Sequence, residues 1–177
     1  MNTELQPTNS EQYTYGRGYI ILSELNIDNI PESIHIEGLS LVKKSEFHIT
    51  LVAANRLAKL INPEDSERVE IEITDKFKEF VKENPIENFE LTHEFRLAQK
   101  GEKKTVVAMV GIENLTSFYD ELRQSYGEEI PTQPAHITLY SLEPEEGISL
   151  SSPADLDINT SVVDIPVLND VIRIDKN

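Results

Sequence analysis

Apolar positions recur along this chain in two rhythms, one of period two and one near 3.6, and their order predicts an α+β protein. Tyr19-Ile20-Ile21-Leu22 reads as a first strand, entered through Gly16-Arg17-Gly18. Residues 26–38 have extended character at Ile34-His35-Ile36. Leu39 to Lys43 is expected to pair with the apolar run Phe47 to Ala53. Helical spacing follows, with Leu57, Leu60 and Ile61 on one side of a segment that begins near Ala53. Asn62-Pro63-Glu64-Asp65 carries the marks of a helix start: an amide cap, proline at the first position and acids in the first turn. Val69, Ile73, Phe77, Phe80 and Val81 then form a stripe that predicts core packing, and Asn84-Pro85 ends it.

The second half repeats both rhythms. Phe89, Leu91, Phe95 and Leu97 alternate with polar residues, as in a half-buried strand. Lys100-Gly101-Glu102-Lys103 predicts a turn, and Thr105 to Ile112, apolar on both faces, a central strand. Leu115, Phe118, Leu122 and Tyr126 mark a helix that Gly127 is expected to close as a left-handed cap. A further apolar run follows at Ala135 to Leu142, then an acidic turn at Glu143 to Gly147. Ser152-Pro153-Ala154-Asp155 opens a short helix, and Val171 to Ile174 is a candidate last strand. Residues 1–14 read as a flexible polar tail, leaving residues 15–177 as a single domain.

Two of the apolar runs contain the same tetrapeptide. His48-Ile49-Thr50-Leu51 and His136-Ile137-Thr138-Leu139 lie 88 residues apart, in a chain with only four histidines. Alternate side chains of a strand share a face, so each run presents an imidazole and a hydroxyl one way and apolar residues the other. A single His-x-Thr in a strand carries no message. Two identical copies, both in strand-like runs, predict a pair of strands facing each other across a site for one small anion.

That pair suits phosphodiester chemistry. Near neutral pH one imidazole can be neutral while the other is cationic. The first takes a proton from an attacking water, and the second gives one to the leaving oxygen. Thr50 and Thr138 can hold the non-bridging oxygens between them, each donor contributing on the order of 1–3 kcal/mol. No His-Glu-x-x-His, Gly-x-Ser-x-Gly or phosphate-loop pattern competes.

Charge narrows the ligand. The net charge is −16, of which residues 113–177 carry −10. Such a surface repels long nucleic acid and leaves a small nucleotide or short RNA end as the expected ligand. The basic cluster Arg96, Lys100, Lys103 and Lys104 reads as a solvated turn rather than a phosphate contact. No long apolar run predicts a membrane span. Met1-Asn2-Thr3-Glu4 lacks the marks of a signal peptide, and zero cysteines exclude disulfides and thiolate chemistry. The expectation is a cytoplasmic monomer.

Secondary candidates surround the motifs. Tyr140 shares the alternation of His136 and Thr138 and either borders the ligand or packs ordinarily. Arg17 and Tyr19 could meet phosphate or base. His93, between Leu91 and Phe95, is expected to be a hydrogen-bonded core histidine, with a cleft-lining role as the alternative. His35 reads as a surface residue.

The paired His-x-Thr motifs resemble the two-histidine (2H) phosphoesterase superfamily, with its LigT-like fold. The resemblance covers most of the chain in order and length and is specific at His48, Thr50, His136 and Thr138. It implies a two-lobed α+β domain, with antiparallel sheets lining a central cleft and helices outside. It also implies a metal-independent phosphodiesterase without cofactor. Members of that superfamily hydrolyse 2′,3′-cyclic phosphates at RNA ends, 2′,5′-linked oligonucleotides and related phosphodiesters, and some only bind nucleotides. By analogy His136 is the general base and His48 the general acid. The alternative is a non-catalytic module that binds AMP-like ligands in the same cleft. A third reading has the acidic face as a protein-partner surface.

Overall fold

The computed structural model describes residues 12–169 and 174–176. Among these, ten strands and five α-helices form an α+β fold on one antiparallel sheet. The hairpin β1 (Tyr13–Gly16) and β2 (Tyr19–Ile27) comes first, then the hairpin β3 (Ser33–Ile36) and β4 (Leu39–Lys43). The first motif lies on β5 (Phe47–Val52). Helices α1 (Ala54–Ile61) and α2 (Ser66–Glu83) follow, separated by a 3-10 turn at Pro63–Asp65. The long hairpin β6 (Phe89–Lys100) and β7 (Lys103–Ile112) leads through α3 (Leu115–Tyr126) to β8 (His136–Ser141), which carries the second motif. The chain continues through α4 (Pro153–Asn159), β9 (Thr160–Val163), α5 (Pro166–Asn169) and β10 (Ile174–Lys176).

The spatial order is β1-β2-β5-β8-β7-β6-β9, which makes the two motif strands neighbours at the centre. They therefore do not face each other across a gap, as expected from sequence; they lie side by side and project their histidines from one face. Ile49 pairs with Ile137 at the join.

Each face of the sheet has its own apolar layer. Ile20, Leu22, Ile49, Leu51, Ile137 and Leu139 pack against the stripes of α1, α2 and α3, with Phe77 and Phe118 wholly buried. Their rings meet edge to face at 5.1 Å. Truncating a ring in such a layer costs about 3–5 kcal/mol. On the opposite face, Ala98 and Val107 are covered by Ile148 and Leu150 from the strap after β8, with Met109 and Leu156 packed alongside. This explains why β7 is apolar on both faces. Val106 and Ala108 meet the helices, and Val107 meets the strap.

Other elements depart from the sequence reading. Tyr13 and Thr14 belong to β1 rather than to a tail, and Tyr13 is buried against Phe77. β4 pairs with β3 and β8, not with the first motif strand. Gly127 does close α3, but with φ 116° and ψ 158° it lies outside the left-handed helical region. Ser152 caps α4 as expected, its Oγ accepting from the Asp155 N–H at 3.1 Å. Residues 1–11 of the expected tail, and Val171 to Arg173 of the expected last strand, lie outside the described residues. Ile174 opens β10, which pairs with β2. No described helix is long and apolar enough to cross a membrane.

Candidate active site

The antiparallel pairing of Ile49 with Ile137 fixes what the motifs build. One step to either side, His48 falls opposite Thr138 and Thr50 opposite His136. The four side chains form a square, with each imidazole facing the other motif's hydroxyl. Residues on such a diagonal are about 7 Å apart at their Cβ atoms, which leaves room for a phosphate between the rings.

The repeat extends beyond the tetrapeptide. On one side Ile21 pairs with Thr50 and Ile20 with Val52; on the other Val107 pairs with Thr138 and Val106 with Tyr140. Both motif strands thus bulge at the same place, just after the threonine. A bulge sets two residues against one and interrupts the alternation of faces. Consequently Leu51 and Val52 are both buried, as are Leu139 and Tyr140.

Tyr140 therefore leaves the motif face. It is wholly buried, its hydroxyl donates to the Pro31 carbonyl at 2.8 Å, and burial pushes its pKa up to about 12. The candidate ligand contact proposed for it is corrected to a structural one. Arg17 is also not brought to the site; it is exposed at the β1–β2 turn, with φ 53°. Tyr19 does line the cleft. The turn before it is seated by Gly18, whose carbonyl accepts from the Asn55 N–H at 2.9 Å. A Cβ at Gly18 would lie 2.3 Å from that of Asn55, so only glycine fits there.

The cleft over the square encloses about 330 Å³. Its walls include His48, Thr50, His136, Thr138, Tyr19 and Ile21, with the strap from Glu145 to Leu150 as its rim. Two more residues were not singled out from sequence. Gln133 is buried on the cleft wall, its Oε1 accepting from the Ala53 N–H at 3.1 Å. Among the described residues Lys44 is the only lysine or arginine in the lining. Its Nζ donates to the Pro144 carbonyl and, at 3.0 Å, to that of Glu146, which ties the strap to the motif side. Arg56 fastens the strap's far end through Ser151 Oγ at 2.7 Å. No local pattern flags a lone lysine or glutamine; only the folded arrangement places them here.

The histidines differ in environment. His136 is 8% exposed, with Nδ1 2.8 Å from the Pro134 carbonyl. In the neutral ring that contact makes Nδ1 the donor and leaves the lone pair on Nε2. Burial lowers its pKa, the Pro134 bond opposes this, and a charge on His48 lowers it further. His48 is exposed, yet the protein beside its ring removes enough water to lower its pKa. Lys44 pushes the same way and Glu46 opposes.

The remaining histidines lie elsewhere. His35 is on the surface. His93 is exposed, not in the core, because it sits at φ 60° in a bulge of β6 between Leu91 and Phe95. The basic residues Lys100 and Lys103 are exposed at their hairpin turn, and Arg96 is paired with Glu94 at 2.5 Å. Among the described residues no group of three or more His, Cys, Asp or Glu side chains is arranged to hold a metal ion. No protein-family model, curated protein or solved structure matches this chain.

Proposed function

We propose that this protein is a metal-independent phosphodiesterase of the two-histidine kind, with a LigT-like arrangement of its two halves. Its substrate is a 2′,3′-cyclic phosphate or a related small phosphodiester. The observation that carries this reading is the square, with two imidazoles and two hydroxyls alternating on the wall of one cleft of about 330 Å³.

His136 Nε2 takes a proton from water as the water oxygen attacks phosphorus. The bond from phosphorus to the leaving ribose oxygen breaks on the opposite side, and His48 supplies that oxygen with a proton. The product is a phosphomonoester. Thr50 and Thr138 donate to the non-bridging oxygens, whose charge grows as the bond to water forms. Burial suits His136 to the base role by keeping it neutral, and the Pro134 bond holds Nδ1 and leaves Nε2 free. The access of His48 to solvent and charge suits it to the acid role, because a bound phosphate anion draws its pKa upward.

The test is hydrolysis in EDTA of 2′,3′-cyclic mononucleotides, a cyclic-ended oligonucleotide and a 2′,5′-linked dimer, with His48→Ala in parallel. Turnover that disappears in the variant supports the proposal. Nucleotide binding without turnover selects a binding module instead.

A further inference from the structure

His48 stands on the wall between two clefts. The second encloses about 840 Å³, runs along the far half of β2, and shares Ile21 and His48 with the motif cleft. Its volume is within the range of pockets that hold small organic ligands. β2 bulges between Leu22 and Leu25, so Ser23 and Glu24 lie together across from His48. Glu24 takes a left-handed φ of 59° in this bulge. With Asp28 and Glu46 it gives the second cleft three carboxylates, and among the described residues no lysine or arginine lines it. The motif cleft offers Lys44 and two imidazoles against Glu145 and Glu146.

A phosphodiester on the square, losing its ribose oxygen toward His48, directs the attached nucleoside into this second cleft. Resting on the phosphodiesterase reading, we infer that Glu24, Asp28 and Glu46 restrict the substrate to a nucleoside bearing a single phosphate group. An uncharged sugar and base fit beside the carboxylates. A 5′-phosphate or a continuing chain would carry negative charge against them, and like charges brought together without compensation are strongly unfavourable. The site thus takes cyclic mononucleotides in preference to the ends of RNA chains.

Two measurements on the full-length protein test this. The first compares kcat/KM for a 2′,3′-cyclic mononucleotide with that for the same nucleotide bearing a 5′-phosphate. The expected preference is about tenfold or more for the unmodified compound. It shrinks in high salt and in the Glu24→Gln, Asp28→Asn, Glu46→Gln variant, whose three sites are all exposed. Equal efficiency, or a preference that the variant retains, overturns the inference.

The second measures calorimetric affinity for a nucleoside 3′-monophosphate and a 3′,5′-bisphosphate, and needs no turnover. Weaker bisphosphate binding that recovers in the variant supports the charge filter even if hydrolysis fails; equal affinity, or no binding of either, overturns it. Failure of the phosphodiesterase reading shows separately, as binding without hydrolysis of any cyclic substrate.

Discussion

His48 and His136 occupy equivalent places on two strands related by a local twofold axis through Ile49 and Ile137, yet solvent reaches one ring far more than the other. Each has a threonine two residues on, a bulge after that, and a partner strand in matching register. Symmetry brings the four side chains together. Asymmetry gives them different work. His136 is buried and tethered through Nδ1, whereas His48 is exposed and feels the opposing charges of Lys44 and Glu46. A repeated motif can thus supply one site with two unlike groups, the difference coming from what surrounds each copy.

Removing either ring is expected to have the largest effect. His48→Asn and His136→Asn should each lower kcat by about 10²- to 10⁴-fold. The double variant should be little worse than either single one, because the rings act in one step. Steady-state kinetics on a cyclic mononucleotide checks both, and additive losses would separate the two histidines mechanistically.

The threonines test the other diagonal. Thr50→Val and Thr138→Val should each cost about 10- to 100-fold, as expected for one hydrogen-bond donor to a developing charge. Similar losses would show that the symmetry reaches the phosphate. A large loss at only one would show that the asymmetry does.

Folding stability sharpens the contrast in burial. The folded pKa of His136 is below its unfolded value, which is near the ordinary 6.5. Its contribution is complete above that value and declines as pH falls through the folded pKa, because the unfolded chain binds the proton more readily. Urea denaturation across this window should show stability falling with pH, with a shallower slope for His136→Asn than for the native chain.

The smallest effect is expected at the bulge. Tyr140→Phe should cost about 1–2 kcal/mol in urea denaturation by leaving the Pro31 carbonyl without its donor. Turnover should not change. A loss of activity would return Tyr140 to the site.

Period-two alternation was enough to read both motif strands and which way His48, Thr50, His136 and Thr138 point. It failed one step later, at Tyr140, because the bulge arises from pairing with β7 and leaves no mark in β8's own sequence. The same limit applies to His93, turned outward by a bulge of β6, and to β4, whose partner β8 is far away in sequence. The short strand β1 offered only Tyr13 as a buried residue among polar neighbours. Helices were more legible: the stripe from Val69 to Val81 and the cap at Ser152 are local signals, and α2 and α4 form where they predict. Lys44 and Gln133 acquire a role only when the strap and the Ala53 N–H come to meet them.

The most direct measurement is the initial rate of hydrolysis of a 2′,3′-cyclic mononucleotide in EDTA by the native protein and by His136→Asn. The native protein should convert it to a single phosphomonoester, and the variant should retain no more than about one hundredth of the rate while keeping its fold. Hydrolysis at an undiminished rate in the variant would contradict the two-histidine mechanism.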